Sequence, residues 1–247
     1  MKILGIIPSR YASTRLPAKP LVIIKGKSMV QRVYEQTSKS RLLSKVVVAT
    51  DHQEIFDHVR SFGGEVCMTR ADHASGTDRC YEALTLQPEG YDYVINVQGD
   101  EPFIQPEQID LLAGALDGKT EIATLVKTID SVDELLNPSE AKVVVNARGE
   151  AMYFSRSMIP FINKAPQDQW LSRHTFFKDV GMYAYGCDIL KEISGLAVSL
   201  LEKAESLEQL RWLENGFRVT VVETQTETFA IDTPADLDKA AQMIDHH

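Results

Sequence analysis

Short β-branched runs alternate with longer helical patterns through the first 116 residues, and this order constrains the fold more than any other feature. Strands are predicted at Ile3 to Ile7, Val46 to Ala49 and Tyr93 to Val97, and helices at Met29 to Ser38, Gln53 to Phe62, Gly76 to Leu86 and Pro106 to Leu116. Because parallel strands need a crossover connection that is usually helical, the order predicts an α/β fold. We expect a Rossmann-like mixed, mainly parallel sheet with helices on both faces.

The pattern changes after residue 116. Strands are predicted at Ile122 to Thr128, Ala141 to Asn146 and Met152 to Phe154 without full helices between them, and Asn146 to Gly149 is typical of a hairpin turn. Residues 155–178 show no clear periodicity and carry the exposed-type aromatics Phe161 and Trp170. A helix from Ser199 to Asn215, a strand from Arg218 to Glu223 and a helix from Pro234 to Ile244 complete the chain. We expect one domain over 1–247, with an inserted β-rich arm at about 122–178 that builds a homodimer.

Composition excludes several classes of protein. The 247 residues carry a net charge of −9 and have a pI near 5.2, which argues against a general nucleic-acid binder. No apolar run approaches the roughly 20 residues that span a bilayer, so we expect a cytoplasmic protein without membrane insertion.

The positive charge is concentrated at the beginning of the chain, where the first 34 residues hold seven cations and no carboxylate. The predicted strand ends at Pro8, and the loop that follows carries Arg10, Arg15 and Lys19. Ligands of open α/β folds bind at the carboxyl ends of the strands, so this loop is placed to hold polyphosphate. The alternative is a merely basic surface loop.

Familiar nucleotide-binding motifs are absent. Gly26-Lys27-Ser28 ends like a Walker A loop, but the first glycine of that motif would fall at Leu21, so a hairpin turn explains the segment better. No G-x-G-x-x-G follows any predicted strand, which disfavours a dinucleotide-binding site.

Two carboxylates follow predicted strands near this loop. Asp100 lies just past the strand that ends at Val97, and Asp232 precedes Thr233, a natural helix N-cap. An aspartate in either place is often only a turn or cap residue. Together, however, they suit Mg²⁺, which favours one or two carboxylates plus substrate phosphates.

A fourth polar segment covers residues 69–79 and runs into a predicted helix N-terminus. Its small hydroxyls and free backbone amides could contact a base edge or an anion. An ordinary capped helix is the alternative.

Together these segments resemble the CMP-Kdo synthetases, the 3-deoxy-manno-octulosonate (Kdo) cytidylyltransferases that activate a sugar acid for lipopolysaccharide. The resemblance covers nearly the whole chain and rests on the ordered segments IPSRYASTRLPAKPL, VATDH, GGEVCMTRADHASGTDR, NVQGDEP, YFSRSMIP, LEQLR and IDTPADL. It implies a nucleotide-diphosphosugar transferase fold of the glycosyltransferase-A type, a homodimer, and Mg²⁺-dependent transfer of CMP from CTP to the sugar acid.

The resemblance also implies roles for particular residues, with Arg15, Lys19 and Asp100 as the catalytic groups. Triphosphate would be held by Arg10, Ser13, Arg15 and Lys19, and cytidine by Arg70, Ser75, Gly76, Thr77 and Arg79. Asp100 and Asp232 would bind the metal. Gln98, Arg156, Tyr183, Glu208 and Gln209 would line the sugar pocket.

One position departs from the family pattern, because Asp179 stands where the family commonly has a histidine of the sugar site. A carboxylate accepts hydrogen bonds but does not donate them, so it should favour a cationic tail over one rich in hydroxyls. We therefore expect the substrate to be 8-amino-3,8-dideoxy-manno-octulosonate (Kdo8N), whose ammonium would pair with Asp179.

Other functions remain open at this point. Asp179 could be a neutral change in an ordinary CMP-Kdo synthetase. A CMP-sialate synthetase is an alternative enzyme, disfavoured by the narrower segments from Cys67 to Arg79 and at LEQLR. A catalytically silent nucleotide sensor is an alternative from another class, and the presence of Lys19, Asp100 and Asp232 argues against it.

Overall fold

The computed structural model describes residues 1–12, 16–227, 229–231 and 233–245. The chain divides into two compact units, one of residues 1–114 with 228–247 and one of residues 115–227. Each unit is described separately, and the single domain expected from the sequence stays a prediction. No helix in these described ranges is long and apolar enough to cross a bilayer.

The first unit alternates strands and helices as the sequence predicts. In chain order up to residue 114 its elements are β1 (Ile3–Ser9), β2 (Ile23–Ile24), β3 (Lys27–Ser28), α1 (Met29–Thr37), β4 (Lys45–Thr50), α2 (Gln53–Ser61), β5 (Val66–Met68), α3 (Gly76–Thr85), β6 (Tyr93–Asn96) and α4 (Pro106–Gly114). Each predicted strand and helix of this part is present, with its ends within two residues. The short pair β2 and β3 forms a hairpin around Gly26, as predicted.

Four parallel strands in the order β6, β1, β4, β5 form the centre of this unit. Strand β1 pairs with β4 on one side, with Ile6 opposite Val47, and with β6 on the other, with Gly5 opposite Ile95. Apolar side chains of β1, β4 and β6 are almost fully buried. The burial on both faces of a parallel sheet explains the continuous apolar runs in the sequence.

The second unit is a mixed sheet with short helices. Its elements are β7 (Ile122–Thr128), α5 (Val132–Leu136), β8 (Lys142–Val145), β9 (Ala151–Ser155), α6 (Trp170–Arg173), β10 (Phe177–Gly186), α7 (Cys187–Ser194), α8 (Leu200–Glu205), α9 (Gln209–Glu214) and β11 (Val219–Glu223); α10 (Pro234–Asp245) then returns to the first unit. Strand β7 pairs with β11 in parallel and with β10 in antiparallel orientation. The predicted mixed, mainly parallel sheet with helices is therefore confirmed.

A bulge interrupts β10 opposite β7. Asp179 lies opposite Val126 and Tyr183 opposite Thr124, so four steps along β10 match two steps along β7. Gly181 has a φ of +83° within the bulge, a backbone conformation that favours glycine.

Several features of this unit differ from the sequence predictions, among them strand β10 and helix α7, which were not predicted. The helix predicted from Ser199 to Asn215 is two helices, because Ser206 adopts a left-handed conformation with a φ of 53° and ends α8. Trp170, expected to be exposed, is only 2% exposed; it stacks on Phe176 and its indole N–H donates to the Ala165 carbonyl. The short apolar segment around Trp170 buries this ring in a local cluster that periodicity alone does not reveal.

Gly99 lies where the chain that follows β6 passes close to the end of β1. A Cβ on residue 99 would lie 2.6 Å from the Pro8 carbonyl oxygen and 3.2 Å from the Ser9 hydroxyl. The glycine is therefore required by this close approach.

We predict that Gly99→Ala lowers the free energy of unfolding by about 1 to 3 kcal/mol, because the added methyl overlaps with backbone that cannot easily move. Urea unfolding followed by circular dichroism measures the change. Gly90→Ala is the matched control, since a Cβ there meets nothing within 4 Å. Equal stability of the Gly99→Ala variant and the native protein would contradict the predicted contact.

Candidate active site

A cavity of about 330 Å³ opens in the first unit at the carboxyl ends of β1 and β6 and the N-terminus of α3. Three parts of the chain line it: residues 8–10 with 19–20, residues 73–76 with 79, and residues 98–100. This is the edge of a parallel sheet at which α/β proteins bind ligands. Of the predicted site residues, the structure brings seven together here: Arg10, Lys19, Ser75, Gly76, Arg79, Gln98 and Asp100.

An ion pair between Lys19 and Asp100 joins two of the predicted catalytic groups. The Lys19 ammonium donates to Asp100 Oδ2 at 2.8 Å, and the two side chains are 13% and 32% exposed. Lys19 begins a short 3-10 turn, and Ala18 just before it has a left-handed φ of 50°. The turn therefore directs the Lys19 ammonium at the Asp100 carboxylate, in the segment that follows β6.

The oxygen donors at this edge fit a divalent ion. The Asp100 carboxylate is partly exposed in the cavity, and a hard oxygen ligand of this kind, with substrate phosphates, is what Mg²⁺ prefers. Among the described residues no cluster of three or more metal-ligating side chains occurs. Three predicted site residues, Ser13, Arg15 and the second metal ligand Asp232, lie outside the described residues.

The N-terminus of α3 forms another wall of the cavity. Ser75 caps the helix by accepting from the Asp78 amide, and the Asp78 carboxylate accepts from the Ser75 amide. The side chains and amides of Ser75 and Asp78 thus form a capping box. Ser75 and Gly76 also line the cavity. The capped helix is therefore present, and the ligand site stays a prediction.

Arg79, on the next turn of α3, is buried beneath this wall. Its guanidinium donates to Thr69 Oγ1 at 2.6 Å and to Asp51 Oδ2 at 2.9 Å. Two other residues predicted to contact cytidine do not line the cavity: Arg70 is exposed and pairs with Asp72, and Thr77 is buried.

His73 lines the cavity, although the sequence pattern assigned it no role. Its Nε2 contacts the Glu82 carboxylate, which also accepts from the Arg70 amide at 2.9 Å. Burial alone would raise the pKa of Glu82, but the hydrogen bonds from His73 and the Arg70 amide hold it below its usual value. The available signal was its place in the polar segment, three residues before the predicted helix begins at Gly76.

In the second unit, the bulge of β10 brings together three of the residues predicted for the sugar. Asp179 Oδ2 accepts from the Tyr183 hydroxyl at 2.5 Å and from the Gln209 amide at 3.3 Å. Asp179 Oδ1 lies 3.0 Å from the Thr124 hydroxyl, which also lies 2.9 Å from the Met182 carbonyl. Since a threonine hydroxyl has one proton, only one of these two acceptors receives it at a time.

Burial raises the pKa of Asp179 to about 6, and hydrogen bonds from Tyr183, Thr124 and the 180–181 backbone limit the rise. The pKa of Tyr183 is raised well above its usual value, first by burial and then by the adjacent Asp179 charge. The Asp179 carboxyl group therefore changes its charge near pH 6, within the pH range in which most proteins function.

Arg156 and Glu208, also predicted for the sugar, have other contacts in the second unit. The Arg156 guanidinium donates to backbone carbonyls, among them those of Glu205 at 2.7 Å and Pro138 at 3.0 Å. Glu208 accepts from Arg211 at 2.7 Å. Their assignment to a sugar pocket stays a prediction.

Known proteins resemble this chain over its whole length. The profile of the family described as Cytidylyltransferase matches residues 4–240. The 3-deoxy-manno-octulosonate cytidylyltransferase of Parabacteroides distasonis is 55% identical over 99% of this chain and 98% of its own, and that of Geobacter metallireducens is 46% identical over 99% and 98%.

Solved structures agree with this match. The structure of a CMP:2-keto-3-deoxy-manno-octonic acid synthetase in complex with CTP has a TM-score of 0.93 and 41% identity, and covers 100% of this chain and 99% of its own. A 4-diphosphocytidyl-2C-methyl-D-erythritol synthase from Anaerococcus prevotii, at 13% identity and a TM-score of 0.65, covers 99% and 96% and shares the fold. The chain is therefore an enzyme of the cytidylyltransferase family, in the group of the 3-deoxy-manno-octulosonate cytidylyltransferases that its motifs resemble.

Proposed function

We propose that this enzyme transfers CMP from CTP to a 3-deoxy-octulosonic acid and so makes the CMP-sugar donor for lipopolysaccharide. The observation that carries the proposal is the cavity in which Arg10, Lys19 and Asp100 face the N-terminus of α3. Cations there suit a triphosphate, and a helix N-terminus suits a further anion or the edge of a base. The reaction belongs in the cytoplasm, where CTP is available.

In this reaction the anomeric hydroxyl oxygen of the sugar acid forms a bond to the α-phosphorus of CTP. The bond between that phosphorus and the bridging oxygen of the β-phosphate breaks, pyrophosphate leaves, and the hydroxyl proton is released. Lys19 supplies a compact positive charge where negative charge accumulates on pyrophosphate, and Arg10 assists from the same loop. No covalent nucleophile is needed, since such chemistry depends on positioning and charge.

Asp100 has two roles in this proposal. Without substrate its carboxylate orients the Lys19 ammonium at 2.8 Å. With substrate present it would hold Mg²⁺ together with Asp232, and the ion would polarise the α-phosphate and lower the pKa of the attacking hydroxyl.

The functional assay measures pyrophosphate release from CTP with Mg²⁺ and one of three sugar acids: Kdo, Kdo8N or a sialic acid. We expect release with one or both octulosonic acids, little with the sialic acid, and none after chelation of the metal. Release only with the sialic acid would favour a CMP-sialate synthetase. Release with none of them would favour a silent nucleotide sensor.

A variant at Lys19 ties this activity to the cavity. We expect Lys19→Met to lower kcat/KM by about a hundredfold, because removal of one donor to a developing charge typically has this effect. Lys39→Met removes an exposed lysine that does not line the cavity and is the matched control. Equal losses in both variants would contradict the site.

For the sugar, we infer a preference for Kdo8N over Kdo, based on Asp179. Its carboxylate accepts from Tyr183, Gln209 and Thr124 and from the backbone of residues 180–181, so an ammonium group would replace one of these donors. A half-buried carboxylate suits an ammonium group, because it offers a full opposite charge at hydrogen-bond distance. Ordinary Kdo is the second candidate, and the names of the relatives from Parabacteroides and Geobacter favour it.

The same proposal includes a homodimer built by the arm at about 122–178. Met152 and Phe161 in this segment are 61% and 73% exposed, and large exposed apolar side chains of this kind favour contact with a partner.

We predict that Asp179→Asn lowers the ratio of kcat/KM for Kdo8N to that for Kdo by about ten- to hundredfold, since a charge-assisted hydrogen bond contributes about 1.5 to 3 kcal/mol. Asp179→His should lower it as well and raise Kdo activity. Asp168→Asn, at an exposed aspartate of the same unit, is the control. Equal kcat/KM for both sugars in the native enzyme would overturn the assignment.

The raised pKa of Asp179 predicts a pH dependence of this ratio. Above a pKa of about 6 the carboxyl is charged and attracts the ammonium, and below it the carboxyl is neutral. From about pH 8 to about pH 5 the ratio should therefore fall about tenfold, because the sugar amine stays protonated throughout. In Asp179→Asn the ratio should not vary with pH. A flat ratio in the native enzyme would contradict the role of the Asp179 charge.

A further inference from the structure

We propose that Asp51 is a positioning residue of the nucleotide cavity. Its carboxylate fixes Tyr11, at the beginning of the cationic loop, and Arg79 of α3, but Asp51 does not line the cavity itself. The inference deepens the proposed function and rests on it, since it names a residue that sets the affinity for CTP. Neither the family likeness nor the sequence motifs assign Asp51 a role.

The carboxylate of Asp51 bridges two separate parts of the first unit. Asp51 directly follows β4, and its side chain is only 8% exposed. Oδ1 accepts from the Tyr11 amide at 3.0 Å, and Oδ2 accepts from Arg79 Nη2 at 2.9 Å. One buried group thus contacts both the beginning of the cationic loop and helix α3.

On the loop side, a second contact supports the first. The Tyr11 ring stacks on the His52 imidazole with centroids 3.7 Å apart and an angle of 19° between the planes. His52 is itself held as the N-cap of α2, where its Nδ1 accepts from the Glu54 amide. Backbone and ring of Tyr11 are therefore both anchored, and Arg10, its neighbour, lines the cavity from this anchored position.

On the helix side, Arg79 is held from two directions. Its side chain is 4% exposed, and it donates to Thr69 Oγ1 at 2.6 Å as well as to Asp51. Since Arg79 lies one turn after Gly76, its position determines where Ser75 and Gly76 face the cavity. Each oxygen of Asp51 therefore controls one wall of the nucleotide site.

An asparagine cannot replace this carboxylate. Its amide has one acceptor oxygen and one donor nitrogen, so it can accept from the Tyr11 amide or from Arg79 but not fully from both. It also leaves the Arg79 charge buried without its counterion, which is costly in a low-dielectric environment. Asp51→Asn should therefore loosen one wall while it preserves the shape of the side chain.

The experiment compares Asp51→Asn with Asp110→Asn as the matched control. Asp110 is a similar carboxylate of the same unit, 12% exposed, that accepts from the Arg41 amide at 3.0 Å and from Arg41 Nε at 3.2 Å, and neither residue lines the cavity. The readouts are the Kd of CTP by calorimetry without sugar acid, KM for each substrate, the urea midpoint, and hydrogen exchange of peptides that cover residues 10–12.

We expect Asp51→Asn to raise the Kd and KM of CTP about tenfold, with little change in the KM of the sugar acid, and to speed exchange at residues 10–12. Asp110→Asn should lower the urea midpoint without these effects. CTP affinity that is unchanged in Asp51→Asn, or reduced equally in both variants, would overturn the proposal.

A native enzyme that binds no CTP would overturn the proposed function instead. Hydrogen exchange still tests Asp51 in that case, because it reports the anchoring of the loop directly. Faster exchange at residues 10–12 in Asp51→Asn alone would support the anchor, and unchanged exchange would overturn it.

Discussion

The parallel pairing of β1 between β4 and β6 is the constraint on which the proposed nucleotide site depends. Three parallel strands end at one edge, so the residues that follow them meet there regardless of their separation in sequence. Ser9 at the end of β1 lies opposite Thr50 at the end of β4, and Ile6 lies opposite Asn96 at the end of β6. Arg10, Asp51 and Asp100 follow directly or within a few residues.

Charge balance at this edge follows from the same geometry. Cations gathered at this edge would repel one another, but Lys19 of the loop has Asp100 at 2.8 Å and the buried Arg79 of α3 has Asp51 at 2.9 Å. Both carboxylates come from neighbouring strand ends. The ion pairs hold Lys19 and Arg79 in fixed orientations, as the proposed electrostatic role at a triphosphate would require.

In the second unit, the bulge in β10 brings two side chains of the same strand into contact. In a regular strand, residues four apart are about 13 Å apart. The bulge around Gly181 shortens this distance, so that the Tyr183 hydroxyl reaches the Asp179 carboxylate at 2.5 Å. Burial in that position accounts for the raised pKa of Asp179, and thereby for the pH range in which its charge would affect a bound sugar.

Hydrophobic periodicity predicted the elements of the first unit well, because a parallel sheet buries continuous β-branched runs and its crossover helices need a regular apolar face. It performed less well after residue 116. The break at Ser206, the burial of Trp170 and the strand β10 depend on local backbone conformation and on long-range packing, neither of which has a period in the sequence.

The sequence by itself determined the βα order, the cationic loop and the family motifs, since these are properties of neighbouring residues. Only the tertiary structure showed that Lys19 pairs with Asp100, that the buried Arg79 pairs with Asp51, and that Asp179 contacts Tyr183 and Gln209. Hydrogen bonds and ion pairs form over about 3 Å in space. Their partners here lie up to 81 positions apart in the chain, so strand register and the β10 bulge decide them.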